Sequence, residues 1–201
     1  MSSRTVFDVD DEGVNPYQLL TALVVPRPIA WVSTLDAQGR GNLAPHSFFS
    51  VASHRPPTVM FTSVGRKDTL DNVEATGEFV VSLATERLLD QVNDSSAPFE
   101  AGDDEAAALG LAMAPSVTVA PPRVRDSPAS LECRLDRVVE VGASWVVLGR
   151  VTAIGVDDDV LVDGHPEISL LRPLSRLGRN EWGRPPEVFE LDRPASPDDV
   201  R

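Results

Sequence analysis

The stretch Val64-Gly65-Arg66-Lys67-Asp68-Thr69-Leu70 contains the only lysine among eighteen basic residues; all the others are arginine. An apolar run ends at Val64, Gly65 permits a sharp exit, and the pattern from Asp68 to Thr76 is helical. The first turn of such a helix leaves backbone N–H groups without intrahelical acceptors, and next to a cation they form an anion site. An ammonium is a compact point charge that meets a phosphate oxygen without the planar geometry a guanidinium imposes. Phosphate binding by Lys67, Thr69 and the turn behind Asp68 is therefore the chemistry this segment can do. Asp68 is the expected N-cap and Gly77 the expected C-terminal cap. An ordinary solvated lysine is the competing reading, so a second, independent signal is needed.

That signal lies upstream. Pro26-Arg27-Pro28-Ile29-Ala30-Trp31-Val32-Ser33-Thr34-Leu35 leads through the turn-like Asp36-Ala37-Gln38-Gly39-Arg40-Gly41 into Asn42-Leu43-Ala44-Pro45-His46-Ser47-Phe48-Phe49-Ser50. A proline inside a strand-like run forfeits a ladder hydrogen bond, so Ala44-Pro45 marks a sheet edge or bulge that exposes backbone to a ligand. These blocks, followed in order by Arg66-Lys67-Asp68-Thr69, resemble the flavin reductase-like, FMN-binding split-barrel family. The resemblance is strongest from Pro26 to Gly77. It continues to Trp182 through Pro173-Leu174-Ser175-Arg176-Leu177-Gly178, with Arg179 where the family commonly has a second glycine.

The resemblance implies a mainly β chain, an antiparallel six-stranded Greek-key split β-barrel with a few covering helices. It also implies FMN as cofactor, NADH or NADPH as electron donor, and a homodimer with FMN at the subunit interface. FMN needs cations and N–H donors for its phosphate, hydroxyl and amide partners for its ribityl chain, and a flat, largely apolar slot for its ring. Lys67, Asp68 and Thr69 fall to the phosphate, with Arg27 or Arg66 as a second cation. Asn42, Ser33, Thr34 and Ser47 fall to the ribityl chain and ring edge, with Trp31, Ala44, Pro45 and Phe48 around the ring. Core packing is the competing reading for Trp31, Phe48 and Phe49. His46 is the candidate for the nicotinamide side, against a plain strand histidine. Arg176, Asn180 and Trp182 are expected to act from the partner subunit.

The activity implied is an NAD(P)H-dependent FMN oxidoreductase, a flavin reductase with a flavin-dependent monooxygenase as partner. Such a reaction needs placement more than acid–base groups. The alternative is an FMN-containing, flavoredoxin-like electron carrier without NAD(P)H activity, and a third reading is a barrel that has lost flavin binding. The preference between NADH and NADPH, and the choice between prosthetic and diffusing flavin, stay open.

The elements that must position these residues read mostly as strands. Ile29 to Leu35, Asn42 to Ala52, Thr58 to Val64, Phe79 to Ala84, Ser130 to Val141 and Ser144 to Val156 make six runs, the last two a hairpin across Gly142-Ala143. Helical patterns cover Asp68 to Thr76, Glu86 to Val92 and Asp104 to Leu111. At 201 residues and 42% hydrophobic content the chain suits one domain, 1–190, with 191–201 as a disordered tail. A net charge of −13 argues against nucleic acid or an anionic membrane as partner. The single Cys133 rules out an intrachain disulfide, and a cytoplasmic setting is the simplest. No apolar run escapes the Pro26-Arg27-Pro28 break to span a bilayer, and Met1 to Gly13 lacks the layout of a secretory signal. The spacing of His46, His54 and His165 suits no metal, and neither GxSxG nor GxGxxG is present.

Overall fold

Antiparallel pairing dominates the computed structural model, which describes residues 3–197. The main sheet comprises β1 (Ala30–Leu35), β2 (Gly41–His46), β3 (Phe49–His54), β4 (Pro57–Val64), β5 (Glu78–Leu83), β6 (Ala129–Val141) and β7 (Ser144–Val156). Its spatial order is β2-β1-β5-β6-β7-β4-β3. Seven strands appear where six runs are expected because the run Asn42 to Ala52 breaks at Ser47-Phe48 into β2 and β3. That break makes the barrel. The two edges of the sheet are consecutive in the chain, so the sheet curls until a two-residue link can join them; within that link Phe48 O accepts from Thr62 N–H at 2.8 Å, which extends the β3–β4 ladder. No ladder joins β2 to β3 among the described residues, so the barrel is split along that seam. Pro45 lies on an edge strand, where its missing N–H leaves no ladder bond unmade.

Alternation along β1 sorts the core into two layers. Ala30 and Val32 point inward with Phe61, Phe79, Val81, Cys133 and Val147, while Ile29 and Trp31 point outward to Leu43, Leu88 and Val92. Phe61 and Phe79 meet edge to face with centroids 5.4 Å apart. Burial raises the Cys133 thiol to about 12, which makes it an inert apolar filler. Gly149 on β7 leaves room for this packing, since a Cβ there would fall 2.2 Å from Phe79 Cζ and 3.2 Å from Cys133 Cβ. Gly149→Ala is expected to lose about 1–2 kcal/mol through overpacking, read as a lower urea midpoint with unchanged slope. An unshifted midpoint would mean that Phe79 yields freely.

Among the described residues five α-helices cover the barrel: α1 (Pro16–Leu23), α2 (Asp68–Thr76), α3 (Leu89–Asp94), α4 (Glu105–Ala108) and α5 (Ile168–Leu171). α2 has the expected bounds and closes at Gly77, which adopts φ 73 and donates to Val73 O at 2.9 Å. Its N-cap is Lys67, not Asp68: Lys67 is extended and caps with no side chain, and Asp68 is the first helical residue. α2 buries Leu70 and Val73 against the inner layer. The run expected as one helix from Glu86 is a 3-10 turn, Glu86–Leu88, followed by α3. Of the expected tail, residues 198–201 lie outside the described residues, and Leu191 to Ser196 belong to no helix or strand.

Candidate functional site

The N-terminus of α2 opens onto a hollow of about 540 Å3 between β2, β4 and the loop after α3. Its position is fixed by two hydrogen bonds from paired strands. Thr34 and Asn42 are register partners on β1 and β2; Asn72 Nδ2 donates to Thr34 Oγ1 and Asn42 Nδ2 donates to Thr69 Oγ1, each at 3.1 Å. Because residues 69 and 72 stand one turn apart on α2, these bonds pin the helix to the sheet. Thr34 is fully buried by this duty and lies away from the hollow, whereas Asn42 lines it.

Of the residues singled out by sequence, Asn42, Ala44, Pro45, His46, Ser47, Phe48, Arg66, Lys67, Asp68 and Thr69 all line this hollow. The cations differ in what already holds them. Arg66 donates to both Asp71 and Glu74 and lies 5.8 Å from the Trp145 ring centroid. Lys67 has no carboxylate within ion-pair distance among the described residues. Backbone N–H groups of Asp68 and Thr69 likewise have no intramolecular acceptor there, as the first turn of a helix dictates. The Asp68 carboxylate, which would repel an anion, is engaged by Gly102 N–H at 2.7 Å.

Arg27, Trp31 and Ser33 lie outside the hollow. Arg27 is 8% exposed, and its guanidinium donates to the carbonyls of Thr21, Val24 and Leu177, tying the end of α1 to the chain beyond β7. It reaches the site only through Phe48, whose ring centroid is 6.0 Å away. Trp31 is fully buried in the outer layer, so core packing holds for it; its Nε1 donates to Ser95 Oγ at 2.9 Å and so supports the wall. The Ser33 hydroxyl donates to Pro122 O. Arg176 and Trp182 pair across a short antiparallel bridge, their cation and ring 4.7 Å apart. They line, with Asn180, a second hollow of about 560 Å3 that shares Pro45, Ser47 and Ser96 with the first. Within a single chain they therefore line a hollow that adjoins the first across these shared residues.

His46 faces inward at the barrel mouth, 9% exposed, its ring 4.7 Å from Phe61. Desolvation pulls its pKa down to about 4, a backbone contact at Thr62 opposes this, and the charge of Lys67 lowers it further. It is neutral at pH 7, and its Nε2 is buried without a partner among the described residues.

The opposite wall is the segment Ser95 to Glu105, which the sequence reading did not single out. Two carboxylates hold it. Asp68 accepts from Gly102 as above, and Glu105 Oε2 accepts from Leu43 N–H at 2.7 Å. Glu105 is 8% exposed, and burial raises its pKa against the lowering effect of the Leu43 bond. Nothing local marks this wall, because a partner 62 residues away leaves no pattern in either segment.

A family model described as a flavin reductase like domain matches residues 22–169. An uncharacterised protein of Halalkalibacterium halodurans is 40% identical over 190 residues, covering 89% of this chain and 90% of the relative. Among solved structures, nitrilotriacetate monooxygenase component B from Bacillus cereus superposes with a TM-score of 0.87 at 28% identity, over 94% of this chain and all of that one. The Pseudomonas fluorescens 2-nitrobenzoate 2-nitroreductase NbaA does so with a TM-score of 0.85 at 29% identity, over 94% and 97%.

Proposed function

This chain belongs to the flavin reductase-like domain family, and from that premise we propose that it binds FMN in the hollow at α2 and reduces it with NADH or NADPH. The observation that carries the reading is Lys67, an ammonium without a carboxylate partner among the described residues, beside the unbonded N–H groups of Asp68 and Thr69 at the hollow's rim. The donor set fits the cofactor. The cation and the two amides suit a phosphate, Asn42 and Ser47 offer amide and hydroxyl partners, and Pro45 and Phe48 give apolar flanks. Bound FMN would supply the hydride acceptance and electron release that no side chain here provides.

The chain's own residues bind, orient and exclude water. Lys67 and the α2 amides anchor one end, so that the groove beyond Pro45 and Ser47, toward Arg176 and Trp182, is left for the nicotinamide donor. His46 presents a neutral imidazole in the lining, without adding a second positive charge beside Lys67. The segment Ser95 to Glu105 walls off solvent. Tyr17, Leu20, Leu23 and Val24 on and after α1 are each at least 60% exposed, and Tyr17 lines the hollow; this supports a homodimer with the flavin near its interface. The likeness to a monooxygenase component B supports delivery of reduced flavin to a separate monooxygenase. No helix among the described residues is long and apolar enough to cross a membrane, and we place the enzyme in the cytoplasm.

The test is FMN titration followed by anaerobic NADH or NADPH, with the mass of the same sample read by sedimentation. Stoichiometric binding with rapid bleaching of the oxidised flavin band is expected, at twice the chain mass. Binding without bleaching would favour the flavoredoxin-like carrier, and no binding would overturn the reading.

A further inference from the structure

We propose that a separate hollow of about 470 Å3 under α5 is a second binding site, for a small organic monocarboxylate with an apolar body. It shares no lining residue with the groove described above. Two observations point to a ligand. Thr85, at 2% exposure, lines the hollow and has a buried hydroxyl with no partner among the described residues. An unpaired buried hydroxyl destabilises a fold unless something else satisfies it. Arg172 closes α5 in the left-handed region at φ 45, where helices usually place glycine, and its side chain forms part of the rim.

The lining selects the ligand class. Val160 and Leu171 give an apolar floor. Glu86 at the rim is already bracketed by Arg172 and by Arg184 at 3.2 Å. Arg87 donates to the backbone carbonyl of Asp126 and has no carboxylate partner within ion-pair distance among the described residues. The formal charges of the lining balance, Arg87 and Arg172 against Glu86 and Asp159, and Arg87 is the guanidinium left without a carboxylate partner among the described residues. One carboxylate can accept from Arg87 and from the Thr85 hydroxyl together. Asp159, also in the lining, repels a second carboxylate and so restricts the class to monoanions.

Calorimetric titration of the full-length, FMN-free chain with 4-methylpentanoate tests this independently of the flavin reading. Saturable binding is expected, about tenfold weaker for the uncharged 4-methylpentanamide. Thr85→Val, an isosteric change, and Arg87→Gln, at an exposed position, are each expected to weaken the carboxylate about fivefold or more. Thr85→Val should also melt no lower than the parent, since it removes an unpaired group, and neither variant should alter FMN titration. Absence of saturation, equal binding of the amide, or undiminished affinity in both variants would each overturn the proposal.

Discussion

Replacing Lys67 with alanine is expected to weaken FMN binding by roughly 1.5–3 kcal/mol, about ten- to a hundredfold in Kd, with little change in melting temperature. Affinity depends on the ammonium because its neighbours are already engaged. Arg66 is held by Asp71 and Glu74, Arg27 by three backbone carbonyls, and Arg176 stacks on Trp182 further along the groove. Arg66 lines the same hollow but is committed to its two carboxylates, and Arg27 and Arg176 lie outside it. The fold does not depend on Lys67, which makes no ion pair among the described residues and caps α2 without its side chain. Fluorescence titration of FMN at low and high salt measures the loss, and the salt dependence of the parent should shrink in the variant. Lys67→Arg should recover only part of the affinity, since a planar fork replaces a point charge. An unchanged Kd in Lys67→Ala would put the phosphate elsewhere.

Local pattern carried much of this site into the sequence, and long-range pairing carried the rest out of view. α2 announces itself because Gly77 must accept a positive φ and because its apolar positions recur at helical spacing. Pro45 announces a sheet edge because a central strand would leave a ladder acceptor unpaired. The break at Ser47-Phe48 was not legible: strand-compatible residues run straight through it, and only the meeting of two distant edges makes a bend necessary. Trp31 reads equally as a ring wall or as core, and one residue of register decides, since its neighbours Ala30 and Val32 take the inner face. Asp68 has the residue type of an N-cap but lies one position too late, and its carboxylate instead holds Gly102. The two carboxylates that fasten the Ser95 to Glu105 wall accept from backbone N–H groups, which every residue but proline carries, so no side-chain pattern marks their partners.

The same burial that shapes the site makes it sensitive to acid. The folded His46 imidazole takes a proton only near pH 4, whereas in the unfolded chain it does so near 6.5. Between these values the unfolded chain holds more protons, so stability falls as pH drops; the contribution is full above about 6.5 and lost as pH falls through 4. The separation corresponds to on the order of 3 kcal/mol. Glu105 acts with the opposite sign, because its raised pKa lets the folded state hold the extra proton and stability declines as pH rises through that value. The two effects are separated by difference. Glu105 contacts Leu43 rather than His46, so its contribution persists in His46→Gln, where the imidazole contribution is gone. From pH 7.5 to pH 4 the urea midpoint of the parent should therefore fall more steeply than that of the variant. Parallel curves would show that the folded chain accommodates a charged imidazole at this position. The neutral, unpartnered Nε2 would then have to be abandoned, and with it the role of His46 beside Lys67.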